Sequence, residues 1–138
     1  MRTLLRVEHL TKDFSTHGGE TYRAVDDVSF SLGFHEKMAV IGESGSGKTT
    51  LARMITRLTE ATSGQIFLEE ENITRAKGHN LRNIYQKMQM VFQSPSDSFD
   101  PRRTLGDGIG ESLRNAGMSR RETRAEVKRL LEQCGLSK

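Results

Sequence analysis

The stretch Gly42-Glu43-Ser44-Gly45-Ser46-Gly47-Lys48-Thr49 fits the pattern G-x-x-x-x-G-K-[ST] at every required position. Its surroundings support the reading. Residues 38–41, Met-Ala-Val-Ile, are a short apolar run that reads as a buried strand ending at Gly42. From Thr49 the period changes, and Leu51, Met54, Ile55 and Leu58 fall at i, i+3, i+4 and i+7, one face of a helix. Strand, glycine-rich turn and helix make a phosphate-binding loop. Phosphates need several N–H donors aimed at one place, and glycines let the backbone curl around them. The helix adds its free N-terminal N–H groups and its dipole. Lys48 supplies positive charge at the β- and γ-phosphates, and the Thr49 hydroxyl can ligate Mg²⁺. The ligand expected is a nucleoside triphosphate, taken as Mg-ATP. The phosphate-cradling set is Gly42, Ser44, Gly45, Ser46, Gly47, Lys48, Thr49 and Thr50.

The bulk composition bounds the rest. The chain has 138 residues, of which 34% are apolar, a low share for a self-sufficient core. A net charge of +3 is an ordinary solvated surface, and no Lys/Arg run interleaves with aromatics, so a nucleic-acid partner is not expected. The single cysteine, Cys134, excludes a disulfide framework and points to a reducing compartment. No apolar stretch approaches the roughly 20 residues that span a bilayer. The start of the chain is charged and lacks an apolar signal region. A cytoplasmic protein is expected, held at a membrane only through partners.

Along the chain, residues 4–10 read as a first strand and residues 15–20 as a loop. Val28, Phe30 and Leu32 alternate with polar residues as in a half-buried strand. Thr62-Ser63-Gly64 is a turn before a strand at residues 65–68. Residues 80–87 read as a short helix, 88–92 as another strand, and 94–103, with both prolines, as a loop. A helix over about residues 104–115 follows. Ser119 and Glu122 then make a capping box for a last helix, with Val127, Leu130, Leu131 and Cys134 on its apolar face and Gly135 as C-terminal cap. The chain stops three residues after Gly135, where a compact domain would still be building.

Two blocks narrow the class. Residues 25–48 read VDDVSFSLGFHEKMAVIGESGSGK and residues 88–102 read MQMVFQSPSDSFDPR. Together they resemble the ATP-binding subunits of ABC transporters. GESGSGKTTLAR and QMVFQSPSDSFDPRRTLGD are most similar to the oligopeptide, dipeptide and nickel importer branch. The resemblance covers residues 4–136. The phosphate loop alone would fit many nucleotide-binding proteins; the second block, at this distance, carries the family.

The resemblance implies roles position by position. Gln93 matches the glutamine that contacts Mg²⁺ and the attacking water and relays nucleotide state to the membrane subunit; an amide both donates and accepts without adding charge. Lys48 and Gln93 are the catalytic candidates, and Thr49 and Gln93 the Mg²⁺ ligands. Phe14 sits where the family places an aromatic residue on adenine, with Tyr22 as rival. Residues 94–103 resemble the segment that docks the permease subunits, with Phe99 an apolar contact and Arg102 a polar one. The run Arg120, Arg121, Arg124, Lys128, Arg129 is the solvated face of the last helix. One departure is His35, where the family has glycine in the tight turn before the loop; Gly33 offers an alternative turn position.

The resemblance also implies what lies elsewhere. The signature loop, the acidic Walker B strand, the catalytic glutamate and the switch histidine follow the helical subdomain, and no residue here is assigned to them. Glu70 and Glu71 follow too short an apolar run and precede Gln93, and His79 sits in a polar loop. The expected fold is an α/β P-loop ATPase core with an N-terminal antiparallel β region and the start of a helical subdomain, divided at residues 1–93 and 94–138. The expected function is the ATP-binding part of an importer subunit for peptides or a related solute. Its partners would be a second ATPase subunit and transmembrane permease subunits, which hold it peripherally at the inner face of the membrane. The 138 residues alone are expected to bind nucleotide weakly and turn it over negligibly. They are also expected to be poorly soluble or to self-associate, with a sheet edge left open. A nonenzymatic nucleotide-binding regulator and a nucleic-acid-associated ABC protein are the alternatives.

Overall fold

The computed structural model describes residues 2–94 and 100–136. They fall into two compact units, Met1–Met88 and Gln89–Lys138.

The first unit is built on β1 (Thr3–Ser15) and β2 (Thr21–Gly33), followed by α1 (Lys48–Ile55), β3 (Ser63–Leu68), β4 (Glu71–Asn72) and α2 (Gly78–Lys87). The strands form one antiparallel sheet in the order β2-β1-β3-β4. In β1, Leu5 and Val7 alternate inward, and a bulge then resets the phase so that Leu10 also faces the core. The bulge centres on His9, which has a left-handed φ of 50°. It is held by two side chains: the His9 N–H donates to Ser29 Oγ (2.8 Å), and the Asp27 N–H donates to Thr11 Oγ1 (3.1 Å). Gly64 of β3 completes the corner, because a Cβ there would lie 2.4 Å from the His9 carbonyl oxygen. The core joins Leu5, Val7, Leu10, Val25, Ile66, Leu68 and Ile73 with Leu51 and Met54 of α1 and Ile84 of α2. Each fully buried apolar side chain of this size contributes about 1.5–3 kcal/mol.

Two expected strands do not form. Residues 38–41 and 88–92 lie outside every strand and helix, with Ile41 92% and Val91 91% exposed. The apolar run correctly signals a wish for burial. A strand, however, needs a neighbouring backbone to take its N–H and C=O groups, and no described strand lies alongside either run. The helix after the phosphate loop is also shorter than its periodicity implies. It ends at Ile55, leaving Leu58 exposed. Arg57 takes the left-handed conformation (φ 61°), its N–H reaching Met54 O (3.0 Å) while the Leu58 N–H reaches Arg53 O (2.8 Å). This is a Schellman closure with arginine where glycine is usual.

Glu69 and Glu70, both left-handed, form the two-residue turn that joins β3 to β4, so Glu70 and Glu71 belong to a tight hairpin. Lys87 at the end of α2 donates to Glu69 Oε2 (2.9 Å). The turn after β2 stays at His35 (φ 63°) and does not shift to Gly33. Glu36 closes it, its carboxylate accepting from the Gly33 N–H (2.6 Å). A non-glycine residue in this region is strained by about 1 kcal/mol. His35→Gly relieves that strain but gives back about 0.4–1 kcal/mol as unfolded-chain entropy, so the first unit is expected to gain at most about 0.5 kcal/mol, no more than a few degrees in Tm. A Tm lower by more than about 5 °C in circular dichroism would show that the imidazole is not strained there.

The second unit is a helical hairpin of α3 (Leu105–Asn115) and α4 (Arg120–Gln133). The α3 cap is Thr104, whose hydroxyl accepts from the Asp107 N–H (3.2 Å). At α4 the capping box is complete: Ser119 Oγ accepts from the Glu122 N–H (3.3 Å) and the Glu122 carboxylate accepts from the Ser119 N–H (3.0 Å). The Ser119 hydroxyl and then its backbone N–H hold the Glu122 carboxyl below the usual carboxylate range. Gly135 (φ 76°) closes the helix, with Leu136 N–H on Leu131 O (2.9 Å). The helices meet at Gly110, where a Cβ would come within 2.7 Å of Thr123 Cγ2. Val127 is buried, while Cys134 is exposed rather than on the packed face. No helix among the described residues is long and apolar enough to cross a membrane.

Candidate nucleotide-phosphate site

The loop at residues 42–49 is shaped by two left-handed glycines, Gly45 (φ 82°) and Gly47 (φ 88°). The Ser46 N–H closes a turn onto Glu43 O (3.2 Å). Gly47 is the N-cap of α1, and the Leu51 N–H makes the helix's first bond to its carbonyl (2.8 Å). Glycine offers no side-chain cap, and the first turn of α1 contains no acidic residue. The helix therefore starts with its positive dipole end unneutralised and its first N–H groups without intrahelical acceptors. α3 and α4 are both capped by hydroxyls, whereas α2, like α1, has no side-chain cap and no acidic residue in its first turn; what sets α1 apart is the glycine-rich loop before it and Lys48 folded over that loop. Such a terminus with a lysine beside it is built for an anion.

Lys48 folds back over the loop. Its ammonium donates to Gly42 O (2.7 Å), Glu43 O (2.5 Å) and Ser46 Oγ (3.2 Å). The charge thus sits at the loop itself. Thr49 and Ser44 are exposed and Thr50 is half-buried. The floor of the loop is β2. A Cβ on Gly47 would lie 2.1 Å from the Ala24 carbonyl oxygen and 3.4 Å from Val25 Cγ2. Ala24 and Val25 carry no chemistry, so the motif gives no hint of them.

Phe14 and Tyr22 face one another across β1 and β2 at the turn end of the hairpin, stacked with centroids 5.7 Å apart and planes 21° apart. The two rival aromatics form one pair, and neither belongs to the core cluster. Lys12 Nζ stands 4.9 Å from the Phe14 ring centroid. Beside them, Arg23 donates to Asp13 Oδ1 (2.8 Å) and Asp26 Oδ1 (3.0 Å). The Arg23 guanidinium holds the Asp13 carboxyl below its ordinary value. The Arg23–Asp13 pair bridges β2 to β1 beside the aromatics.

Gln93 is exposed and belongs to the second unit, whereas the phosphate loop belongs to the first. Phe99 lies outside the described residues. In the same segment, the Arg102 N–H donates to Asp100 Oδ1 (2.9 Å). Glu111 takes the Arg103 guanidinium (2.5 Å).

The sequence pattern of the ABC transporter family matches residues 25–138. The chain belongs to the ABC transporter family. It is 41% identical, over 97% of its length and 40% of the relative's, to a probable peptide ABC transporter ATP-binding protein of Sinorhizobium fredii. It is likewise 41% identical to the oligopeptide transport ATP-binding protein OppF of Bacillus subtilis, over 98% of this chain and 45% of that one. The chain therefore spans less than half the length of these curated relatives. Among solved structures, a dimeric ATP-binding cassette in a post-hydrolysis state, bound to ADP and Pi, superposes with a TM-score of 0.79 at 23% identity, covering 94% of this chain and 56% of that one. A nucleotide-free cassette from an ABC transporter superposes with a TM-score of 0.68 at 25% identity, over 97% and 55%. The fold is thus that of part of an ABC ATPase cassette, in which the antiparallel sheet, the phosphate loop with its helix and the helical hairpin are present.

Proposed function

We propose that this chain supplies the phosphate clamp of an ABC importer's ATP-binding subunit, binding Mg-ATP to power transport of peptides or a related small solute. The observation that carries it is the open, glycine-capped N-terminus of α1 with Lys48 folded beside it. The printed names of the relatives supply the solute class. In this reading the N–H groups of residues 42–50 cradle the phosphates and Lys48 turns its ammonium to the β- and γ-phosphates. The exposed Thr49 hydroxyl ligates Mg²⁺. Among the described residues no group of three His, Cys, Asp or Glu could hold a metal on its own. That fits a hard cation that takes most of its oxygens from phosphate and water. When bound, the ion would neutralise phosphate charge.

By the family resemblance Gln93 would contact Mg²⁺ and the attacking water, and the Phe14–Tyr22 pair would offer a π face to adenine. Hydrolysis also needs a positioned general base, which the family places beyond the region matched here. The 138 residues alone would then bind ATP weakly and release negligible phosphate. In the assembled transporter, a second ATPase subunit and the permease subunits, met through residues 94–103, would hold the chain at the inner membrane face.

Titration with a fluorescent ATP analogue tests the clamp. Competition should follow the number of phosphates, with ATP and ADP displacing the probe at least about 10-fold better than AMP or adenosine, since charged hydrogen bonds contribute about 1.5–3 kcal/mol each. Equal competition by adenosine and ATP would defeat the reading. So would phosphate release that Lys48→Ala abolishes, in the case of the predicted inactivity.

A further inference from the structure

Four consecutive residues of β2 reach both halves of the proposed nucleotide site. Tyr22 stacks on Phe14, Arg23 clamps Asp13, Ala24 passes its carbonyl under Gly47, and Val25 is buried in the core. The ladder is irregular at this point. Lys12 pairs with Val25 and Asp13 with Arg23, so Ala24 is an extra residue on β2 with no opposite number on β1. Such a bulge bends its strand and re-aims the groups around it. Here it separates the aromatic end of β2 from the part that runs beneath the loop.

The two sides of the bulge are held differently. Val25 anchors the loop side by its burial. On the other side, Phe14 and Tyr22 lie outside the core cluster, and Tyr22 is 56% exposed. Arg23 ties the two sides together. Its Nε and Nη2 donate to the two carboxylate oxygens of Asp13, directly opposite on β1 (2.8 and 3.3 Å). Its Nη1 donates to Asp26 Oδ1 (3.0 Å), on the far side of Ala24. One guanidinium therefore brackets the bulge. A single exposed ion pair usually contributes little, but a bidentate fork joined to a second carboxylate is the arrangement in which such a pair does hold a geometry.

We propose that Arg23 is a positioning residue for the nucleotide: by bracketing the bulge at Ala24 it holds the Phe14–Tyr22 platform at a fixed offset from the phosphate loop, so that one strand presents the base site and the phosphate site in register. This rests on the reading that the aromatic pair takes adenine and the loop takes phosphate. Arg23 acts through the rings and not on the ligand. Its loss should cost a nucleotide the affinity gained by engaging both sites at once, and should spare a ligand that has phosphates but no base.

Calorimetric titrations of the chain with Mg-ATP and with Mg-tripolyphosphate test this, with the ratio of the two affinities as the readout. Arg23→Met keeps an apolar stem and loses the donors. It should lower the ratio about 3- to 5-fold, through a platform that is in place only part of the time. Tm should move by less than about 3 °C, because the side chain is 53% exposed. Arg23→Lys, a point charge without the fork, should recover less than about half of the loss. The control is Phe14→Ala with Tyr22→Ala, which should lower the ratio by at least about 5-fold. Adding Arg23→Met to that control should lower it no further, since both changes act through the same rings.

Equal weakening of ATP and tripolyphosphate by Arg23→Met would overturn the proposal, because general loosening of the unit does that. So would an unchanged ratio in Arg23→Met when the control lowers it, full recovery with lysine, or a further loss on adding Arg23→Met to the control. If the control itself leaves the ratio unchanged, the pair does not take adenine, and the proposal falls with that reading. The phosphate clamp is judged separately, by whether Lys48→Ala weakens tripolyphosphate.

Discussion

Gly47→Ala is expected to abolish measurable ATP binding and to destabilise the first unit by at least about 3 kcal/mol, from the sum of two separable costs. The first is conformational. Gly47 has φ 88°, where a side chain is strained by about 1–2 kcal/mol. The second is steric. The new Cβ would lie 2.1 Å from the Ala24 carbonyl oxygen, which is backbone and cannot rotate aside. Relief requires either the N-terminus of α1 to lift or β2 to move, and β2 is tied to β1 by the ladder and the Arg23 clamp. Lifting α1 would disrupt the proposed phosphate clamp and withdraw Leu51 and Met54 from the core. Gly45→Ala separates the costs. Its φ of 82° is equally unfavourable, but no atom lies within 4 Å of the added methyl. That variant should lose only about 1 kcal/mol and keep the fold. Thermal unfolding of the two variants side by side, with a fluorescent ATP analogue as second readout, decides the matter. Equal losses would mean that contact with β2 is not what holds the loop.

This contrast also shows where the sequence could be read and where it could not. Gly47 and the start of α1 at Lys48 are spelled out directly in the motif, because a left-handed backbone and a helix start each favour a particular residue type. The same holds for Ser119–Glu122 and Gly135, whose roles are local in the chain. What the motif cannot display is its floor. Ala24 matters because its carbonyl happens to pass under Gly47, a fact of tertiary approach with no signal in residue type.

Residues 38–41 show the opposite failure. Their pattern reports a preference for burial accurately, yet a strand is a property of two chains of backbone, and periodicity reads only one. Arg57 shows a third kind. Its Schellman closure satisfies the carbonyls of Arg53 and Met54 without glycine, so the end of α1 is invisible to a search for the usual terminator. The bulge at His9 is similar: the phase slip that puts Leu10 inward is paid for by Ser29 and Thr11, residues distant or ordinary in sequence. Phe14 and Tyr22 read as rivals because sequence ranks them singly, whereas the ladder sets them face to face.

Lys48→Ala is expected to weaken ATP binding by about 10- to 100-fold while leaving the stability of the free chain within about 0.5 kcal/mol. The two effects separate because of where the ammonium sits. In the free chain it donates to Gly42 O, Glu43 O and Ser46 Oγ, all on exposed residues. Water can replace it on each of them, so its removal leaves no buried acceptor unsatisfied. With triphosphate bound, the same ammonium would instead meet oxygens carrying full negative charge, and water is a much poorer substitute there. The gain on binding is the difference between these two sets of contacts, which is why the loss should approach the lower end of the range if the carbonyl contacts are strong.

Lys48→Arg refines the test. A planar, wider guanidinium does not fit a site in which one compact ammonium touches Gly42 O at 2.7 Å and Glu43 O at 2.5 Å, so charge alone should not rescue affinity. AMP, with no β- or γ-phosphate, should lose little with either variant. If AMP and ATP weaken in parallel, Lys48 shapes the loop rather than engaging the terminal phosphates. If ATP affinity is unchanged, the open end of α1 binds its anion without the lysine.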